Sequence, residues 1–275
     1  MKKDIKIIAL DLDGTLLTTK KFVTEHTKQV LHQAIERGII VMPATGRGLV
    51  AIPKEVLDIE GVQYALTANG AAIWDVKKGE KVYTDYIDVE TTLDALDYAF
   101  TWNTIPDVYL NGRAYSQKNC FAKVEQFVES EEQKEMLLSS RTPVEDIRAY
   151  VRQNPEYIEK INVLFHDQEE KRKAYEHWKR ENKMEVTFSM GNNLELNKKG
   201  ASKGQGLLAF GKMLGISREQ IMVCGDSSND IEMMKMAGFS VAMENGRDDV
   251  KELADFVTKT NDEDGVAYAI EQFVL

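Results

Sequence analysis

Four short stretches carry the residue types that suit chemistry on an anion. Asp11-Leu12-Asp13-Gly14-Thr15 follows the apolar run IKIIAL (5–10). Thr45-Gly46-Arg47 follows IIVMPA (39–44), Asn69-Gly70 follows YALTA (64–68), and Gly225-Asp226-Ser227-Ser228-Asn229-Asp230 follows IMVC (221–224). Asp11, Asp13 and Asp226 could not stand close together as bare anions, because like charges raise one another's pKa. An oxygen-rich cluster of this kind suits Mg²⁺, which is held by one or two carboxylates together with water and substrate phosphate. Lys203 opens a predicted helix and adds a full positive charge, and the helix N-terminus adds a partial one. Carboxylates, a hard cation, a lysine and hydroxyl donors together describe a site for phosphoryl transfer.

Each stretch alone has a plainer meaning. DLDG by itself favours a simple turn. A calcium loop counted from Asp11 fails, because position 12 is Phe22 and Gly14 falls at position 4 rather than 6. GDSSND alone would serve as an Asp-rich cap for the following helix. What decides is their joint placement after buried strands. In open α/β sheets ligands bind at the carboxyl ends of the strands. GLLAFGKM (206–213) mimics a phosphate-binding loop, but Met213 stands where Ser or Thr is needed and the run lies inside a helical pattern. The four histidines show no ligand spacing.

The elements that must position these residues follow a regular grammar. IKIIAL is a strand buried on both faces. A helix spans 24–38, with Thr24 as N-cap and Gly38 as stop. IIVMPA is a second strand, 49–59 a helix, YALTA a third strand, and AAIWDV with KVYTDYI a hairpin around KKGE. The pattern returns at the end. Ser202 caps a helix stopped by Gly215, Ser217 and Gln220 form a capping box, and 221–225, a helix to Gly238, 239–243 and two further helices complete it. Strand and helix in alternation imply a doubly wound, Rossmann-like parallel sheet, an α/β core covering 1–85 and 190–275. The middle, 86–189, reads as an inserted α+β domain whose alternating strands imply a sheet with one exposed face.

Hydrophobic residues make up 43% and charged residues 29% of the 275, the balance of an ordinary soluble globular chain. The net charge of -10 argues against non-specific binding of nucleic acid or anionic membranes. Cys120 and Cys224 are too few and too far apart for a disulfide framework or zinc site. The N-terminal apolar run is too short for a signal segment and no stretch approaches a membrane span, so a cytoplasmic protein is expected.

In order and spacing, DLDGTLL (11–17), ATGR (44–47), SKG around Lys203 and GDSSND (225–230) resemble the four motifs of the haloacid dehalogenase superfamily of phosphohydrolases. The insertion between the second and third motifs, with TANGA (67–71) and GDSSNDIEMM (225–234), resembles the Cof-type subgroup. The inserted cap resembles the family in its βα pattern and position only. The resemblance implies that Asp11 attacks phosphorus and forms an aspartyl-phosphate. It implies that Asp13 is general acid and then base, neutral at the first step with a raised pKa in the occupied site. Thr45 and Lys203 would hold the phosphoryl group. Mg²⁺ would be bound by the Asp11 carboxylate, the Asp13 main-chain carbonyl and Asp226, with Asp230 and Asn229 supporting the metal, its waters or the phosphate. Gly14 would let backbone N–H groups face the phosphate, and Gly46, Arg47 and Asn69 would lie near the substrate or fix the loops. Glu195 and Leu196 fit the family before the third motif, whereas NKKG (197–200) is more basic than the pattern and makes Lys198 and Lys199 candidates for the mouth of the cleft. The implied activity is Mg²⁺-dependent removal of phosphate from a small phosphorylated metabolite, a sugar phosphate being the expected class, with specificity set by closure of the inserted domain. A phosphomutase or phosphotransferase shares these motifs. A phospho-acceptor module is opposed by Asp13.

Overall fold

In the computed structural model residues 2–128 and 130–275 are described. In chain order the elements are β1 (Ile7–Leu10), α1 (Glu25–Glu36), β2 (Ile40–Pro43), α2 (Lys54–Leu57), β3 (Tyr64–Thr67), β4 (Ala72–Asp75), β5 (Glu80–Thr84), α3 (Val89–Ala99), β6 (Thr104–Leu110) and β7 (Arg113–Gln117). Then come α4 (Lys118–Phe121), α5 (Glu131–Ser140), β8 (Arg141–Val144), α6 (Ile147–Gln153), β9 (Ile158–Phe165), α7 (Gln168–Glu181), β10 (Met184–Thr187) and β11 (Asn193–Lys198). The last are α8 (Lys203–Met213), β12 (Ile221–Gly225), α9 (Ile231–Met236), β13 (Phe239–Ala242), α10 (Asp248–Lys251), β14 (Phe256–Val257) and α11 (Gly265–Phe273). Among the described residues no helix is long and apolar enough to cross a membrane.

The chain forms two units. One comprises residues up to Gly46, Ile52–Thr84 and Ser202–Leu275; the other comprises Arg47–Ala51 and Asp85–Ala201. The second unit therefore runs about a dozen residues past 189, because β11 is a strand of its sheet rather than the start of the returning core.

The first unit is built on a parallel sheet in the order β14-β13-β12-β1-β2. Ile7 and Ala9 of β1 share a core with Leu207 and Phe210 of α8 and Met233 and Met234 of α9. Ile8 and Leu10 point to the opposite face by the strand's period of two and are equally buried. A strand covered on both faces has to be apolar throughout, and IIAL is. α1 packs against α11; its N-cap is Thr24, whose side chain accepts the Thr27 N–H. The GLLAFGKM run lies inside α8, as its periodicity predicts.

Two expectations about the first unit change, and one strand goes unread. β3 is not a full member of the parallel sheet: it meets β2 in a single bridge, Ala44 with Leu66, and otherwise heads an antiparallel sheet β3-β4-β5. The N–H groups of Ile40 and Ala44 point to β1, and Thr45 N–H points to Leu66 of β3. The intervening donor toward β3 would come from Pro43, which has none, so the ladder cannot extend. The single helix read over 49–59 is a 3₁₀ turn, Leu49–Ala51, followed by the short α2, because Pro53 interrupts the ladder and serves as the N-cap of α2. The two-residue edge strand β14 was too short to leave a pattern.

The second unit carries a six-stranded sheet, β10-β11-β9-β6-β7-β8, antiparallel except for β7 with β8. One face packs Val108, Ile161, Val163 and Leu196 against Leu96, Val151 and Trp178 of α3, α6 and α7. The alternation implied that the other face would be exposed. Instead β6 and β9 are buried along their whole lengths. Part of that face is apolar, with Ile105 and Leu164 under Phe121, Phe127 and Leu137. The rest is a paired polar network. Lys160 Nζ meets Glu195 Oε1 at 2.7 Å and Arg141 Nε meets Asp107 Oδ2 at 3.1 Å. Asn162 Nδ2 donates to Asp107 Oδ2 at 3.1 Å, and Asn193 Nδ2 to Asn162 Oδ1 at 2.9 Å. Polar residues at alternate positions here mean partners inside the protein, not water.

Candidate active site

The register of the central sheet brings distant loops level. Leu10 lies opposite Cys224 on one side and Pro43 on the other, so Asp11, Thr45 and Asp226 leave the same edge. Asp11 N–H donates to Cys224 O at 3.0 Å, and Leu16 N–H returns to Asp11 O at 3.1 Å, closing the turn after β1. Gly14 is required in that turn for two reasons. Its φ is +83°, and a Cβ there would stand 2.6 Å from Asp226 Oδ2. The same carboxylate accepts the Thr15 hydroxyl at 2.7 Å through Oδ1.

Lys203 is the first residue of α8, behind Ser202, whose hydroxyl caps the helix by accepting Gln205 N–H at 3.2 Å. Its side chain is fully buried, and Nζ donates to Asp11 Oδ1 at 2.6 Å and to Asp230 Oδ1 at 2.7 Å. Asp230 Oδ2 accepts the backbone N–H groups of Asp226 and Ser227, both at 3.0 Å. Ser227 and Asp230 complete a capping box, so GDSSND is a helix-capping loop as well as a site loop. Gly225 is needed beside it, because a Cβ would come within 2.6 Å of Asp230.

Asn69 joins the loops. Residues 68–70 all have positive φ (49°, 56° and 96°), an uncommon run in which only one is glycine. The turn places Asn69 N–H on Thr45 O at 3.1 Å and Asn69 Oδ1 before Asn229 Nδ2 at 3.3 Å. Gly70 passes so near the start of α8 that a Cβ would lie 2.1 Å from Ser202 O. The second, third and fourth stretches are thus fastened to one another through residues 69 and 70.

The electrostatics are unbalanced. Carboxylate oxygens of Asp11, Asp226 and Asp230 lie within 4.8 Å of one another, against one ammonium group. Burial, with Asp230 and Asp226 nearby, raises the Asp11 carboxyl well above the ordinary range, although Lys203 opposes it. Burial and Asp230 push Asp226 up to about 6, against the Thr15 hydrogen bond. Burial alone would lower Lys203, but the two carboxylates outweigh it and keep the lysine charged. An excess of buried anionic oxygen without soft ligands fits a hard divalent cation bound by oxygen.

A family model for the haloacid dehalogenase-like hydrolases matches residues 8–270. The chain belongs to this family. It is 30% identical to the 5-amino-6-(5-phospho-D-ribitylamino)uracil phosphatase YcsE of Bacillus subtilis, over 99% of this chain and 97% of that protein. It is 32% identical to the phosphatase YwpJ of the same organism, over 98% of this chain and 100% of the relative. Its fold matches that of a solved haloacid dehalogenase-like hydrolase from B. subtilis with a TM-score of 0.87 at 28% identity, covering 98% of this chain and 100% of the other. It is an enzyme, a phosphatase of this family.

In this haloacid dehalogenase-like hydrolase, Asp11, Lys203, Asp226 and Asp230 form one cluster, with Gly14 packed against it. Thr45, Gly46, Asn69 and Asn229 form the adjoining loop set; a Cβ on Gly46 would meet Asn69 Oδ1 at 2.8 Å. Asn229 Oδ1 accepts the Ser227 hydroxyl at 2.7 Å. Asp13 lies in the same turn but turns outward, its Oδ1 2.8 Å from the exposed Lys21 Nζ. Arg47 packs with the second unit, and its guanidinium donates to Ala51 O at 2.9 Å. Lys198 and Lys199 pair with Asp85 at 2.6 Å and Glu185 at 3.4 Å, all within the second unit. Sequence reasoning did not assign Thr15, Lys21 or Asn245, whose side-chain amide donates to Gly14 O at 2.8 Å. Thr15 had a signal, its place inside DLDGT; Lys21 and Asn245 had none.

Proposed function

We propose that the enzyme is a Mg²⁺-dependent phosphatase that hydrolyses a small phosphorylated metabolite, a sugar or sugar-alcohol monophosphate, through an aspartyl-phosphate on Asp11. The observation that carries this reading is the buried contact of Lys203 with Asp11 and Asp230 beside Asp226. Lys203 holds one Asp11 oxygen, which orients the other as the nucleophile toward phosphorus. Lys203 and Thr45 bind the transferring phosphoryl group, supplying charge and a hydroxyl donor where negative charge is held. Asp13 releases its contact with Lys21, takes up a proton from solvent and gives it to the leaving oxygen as the bond from that oxygen to phosphorus breaks; the resulting carboxylate then takes a proton from the water whose oxygen attacks phosphorus, which releases phosphate and restores the Asp11 carboxylate. A pair with both side chains exposed to solvent costs little to break.

The Asp11 and Asp226 side chains and the Asp13 carbonyl are the groups that would hold Mg²⁺, with Asp230 fixing Lys203 and the loop amides behind them. When bound, the cation neutralises charge shared by the carboxylates and the phosphoryl oxygens. The inserted unit is proposed to choose the leaving group. The name of the YcsE relative supports placing a phosphorylated ribitylamino pyrimidine in the first substrate panel.

The test is release of inorganic phosphate from 4-nitrophenyl phosphate and from a panel of sugar and alditol phosphates, with Mg²⁺ and with chelator. Activity that requires the metal and vanishes in Asp11→Asn supports the reading. Full activity in Asp11→Asn would falsify the nucleophile assignment, and phosphate recovered on a second hydroxyl instead of water would make the enzyme a phosphotransferase.

A further inference from the structure

We propose that the loop after β13 is a clip that orients the Asp226 carboxylate, and that Asn245 within it is a positioning residue: its carboxamide holds the Gly14–Thr15 peptide so that the Thr15 hydroxyl stays on Asp226. The inference rests on the assignment of Asp226 to Mg²⁺.

Every residue of the clip lies in the first unit. Ala242 stands opposite Gly225 in the register of β13 with β12, so Met243 leaves the sheet beside Asp226, on the edge where strand ends meet ligands. The loop is then bound to the backbone around Asp226 on both sides of Asn245. Met243 N–H donates to Gly225 O at 3.1 Å, and Arg247 N–H donates to Asp226 O at 3.0 Å. Gly246 N–H closes the turn on Met243 O at 2.9 Å. Gly246 passes so close that an added Cβ would stand 3.0 Å from Asp226 Cα. The backbone of Asn245 is thereby carried on that of Asp226.

From there the side chain crosses to the turn after β1. Asn245 Nδ2 donates to Gly14 O at 2.8 Å, and Asn245 Oδ1 accepts Asn261 N–H at 2.9 Å. Asn261 Nδ2 in turn donates to Leu17 O at 2.9 Å, so a carboxamide holds each end of the stretch 14–17. A carboxamide suits position 245 because it carries a donor and an acceptor on one planar group. An aspartate there could still accept Asn261 N–H, but it would set an oxygen against Gly14 O. The Gly14 carbonyl shares a rigid peptide plane with Thr15 N–H. That N–H reaches Leu12 O at the long distance of 3.4 Å, so the plane is held weakly on its other side and Asn245 is the firmer restraint. The plane sets where the buried Thr15 side chain starts, and its hydroxyl ends on Asp226 Oδ1 at 2.7 Å. A ring is closed: Asp226 backbone to the loop, the loop to Gly14, and Thr15 back to the Asp226 carboxylate. Contacts behind a ligand orient it in this way.

The test uses the full chain, with Mg²⁺ titrated by calorimetry and hydrogen exchange followed at the amides of 15–17 in metal-free protein. Asn245→Ala removes both the donor and the acceptor, whereas Asn245→Asp keeps the shape and the acceptor and removes the donor. Asn245 is exposed, so neither change leaves a buried void. Both should raise the Mg²⁺ dissociation constant about 3- to 10-fold, the weight of one net hydrogen bond, and speed exchange at 15–17. Asn245→Asp separates positioning from long-range charge, because an added negative charge near a cation site would by itself tighten Mg²⁺. In a Thr15→Val background Asn245→Ala should weaken Mg²⁺ no further, since residues that act as a unit are not additive. Wild-type exchange at 15–17 in both variants, Mg²⁺ bound by Asn245→Asp as tightly as by wild type or more so, or losses that multiply with that of Thr15→Val would each overturn the clip. If the wild type binds no Mg²⁺, the metal assignment of Asp226 fails, and exchange at 15–17 still decides whether Asn245 holds the turn.

Discussion

Replacing Lys203 with methionine keeps most of the buried stem and removes the charge. The ammonium is fully buried, 2.6 Å from Asp11 and 2.7 Å from Asp230, so its loss strands two carboxylates in the interior. Breaking a buried ion pair from one side costs about 3–5 kcal/mol, chiefly because the partner is left uncompensated. At about 2–4 °C per kcal/mol for a chain of this order, Tm should fall by about 6–20 °C at pH 7.5. The loss should depend on pH in a defined direction. Asp11 already sits well above its ordinary range through burial, and without Lys203 it rises further. Between that raised value and the unfolded carboxyl near 3.8, the folded variant holds a proton that the unfolded chain has released. Stability then falls as pH rises, so the deficit of Lys203→Met should shrink as pH is lowered from 7.5 toward 5. The double variant Lys203→Met/Asp230→Asn should recover part of the stability without recovering activity, because the introduced carboxamide can keep its oxygen on the two loop N–H groups and turn its nitrogen toward Asp11. Thermal and urea unfolding at the two pH values measure all three. A Lys203→Met loss under about 1 kcal/mol, unchanged with pH, would refute the electrostatic account of the cluster.

Two further outcomes follow from the same geometry. Gly14→Ala forces a side chain to φ +83° and 2.6 Å from Asp226 Oδ2, so it should cost about 1–3 kcal/mol and weaken Mg²⁺ at least tenfold by displacing that carboxylate; a metal titration with unchanged affinity would count against Asp226 as a ligand. Because burial and Asp230 push the Asp226 carboxyl up to about 6, Mg²⁺ must displace its proton below that pH. Stabilisation by Mg²⁺ should therefore be larger at pH 7.5 than at 5, and equal Tm shifts at the two would remove the carboxylate cluster as the binding site.

What could be read in the sequence was whatever depends on short range. IIAL and IMVC are apolar throughout because each strand is covered on both faces, and the residue after such a strand falls on the carboxyl edge of the sheet. That logic named Asp11, Thr45, Asn69 and Asp226, and the helix-start rule added Lys203 through the Ser202 cap. The same local rules failed where local pattern and global environment part. Alternation in β6 and β9 implied an exposed face, yet Asp107, Lys160 and Asn162 are buried because their partners come from other strands. β3 looked like β1, and only the missing N–H of Pro43 separates it from the main sheet.

The roles within the site belong to tertiary structure. Lys203 and Asp11 are 192 residues apart, and nothing local says that one ammonium group will serve both Asp11 and Asp230. Nor does the motif say that Asp13 will turn to Lys21 while Asp226 takes Thr15, or that Arg47 will leave its neighbour Thr45 for the other unit. Residue type and spacing determine which groups arrive at the edge of the sheet. Which oxygen meets which proton is decided by packing, because a hydrogen bond depends on a few tenths of an ångström that only the whole fold specifies.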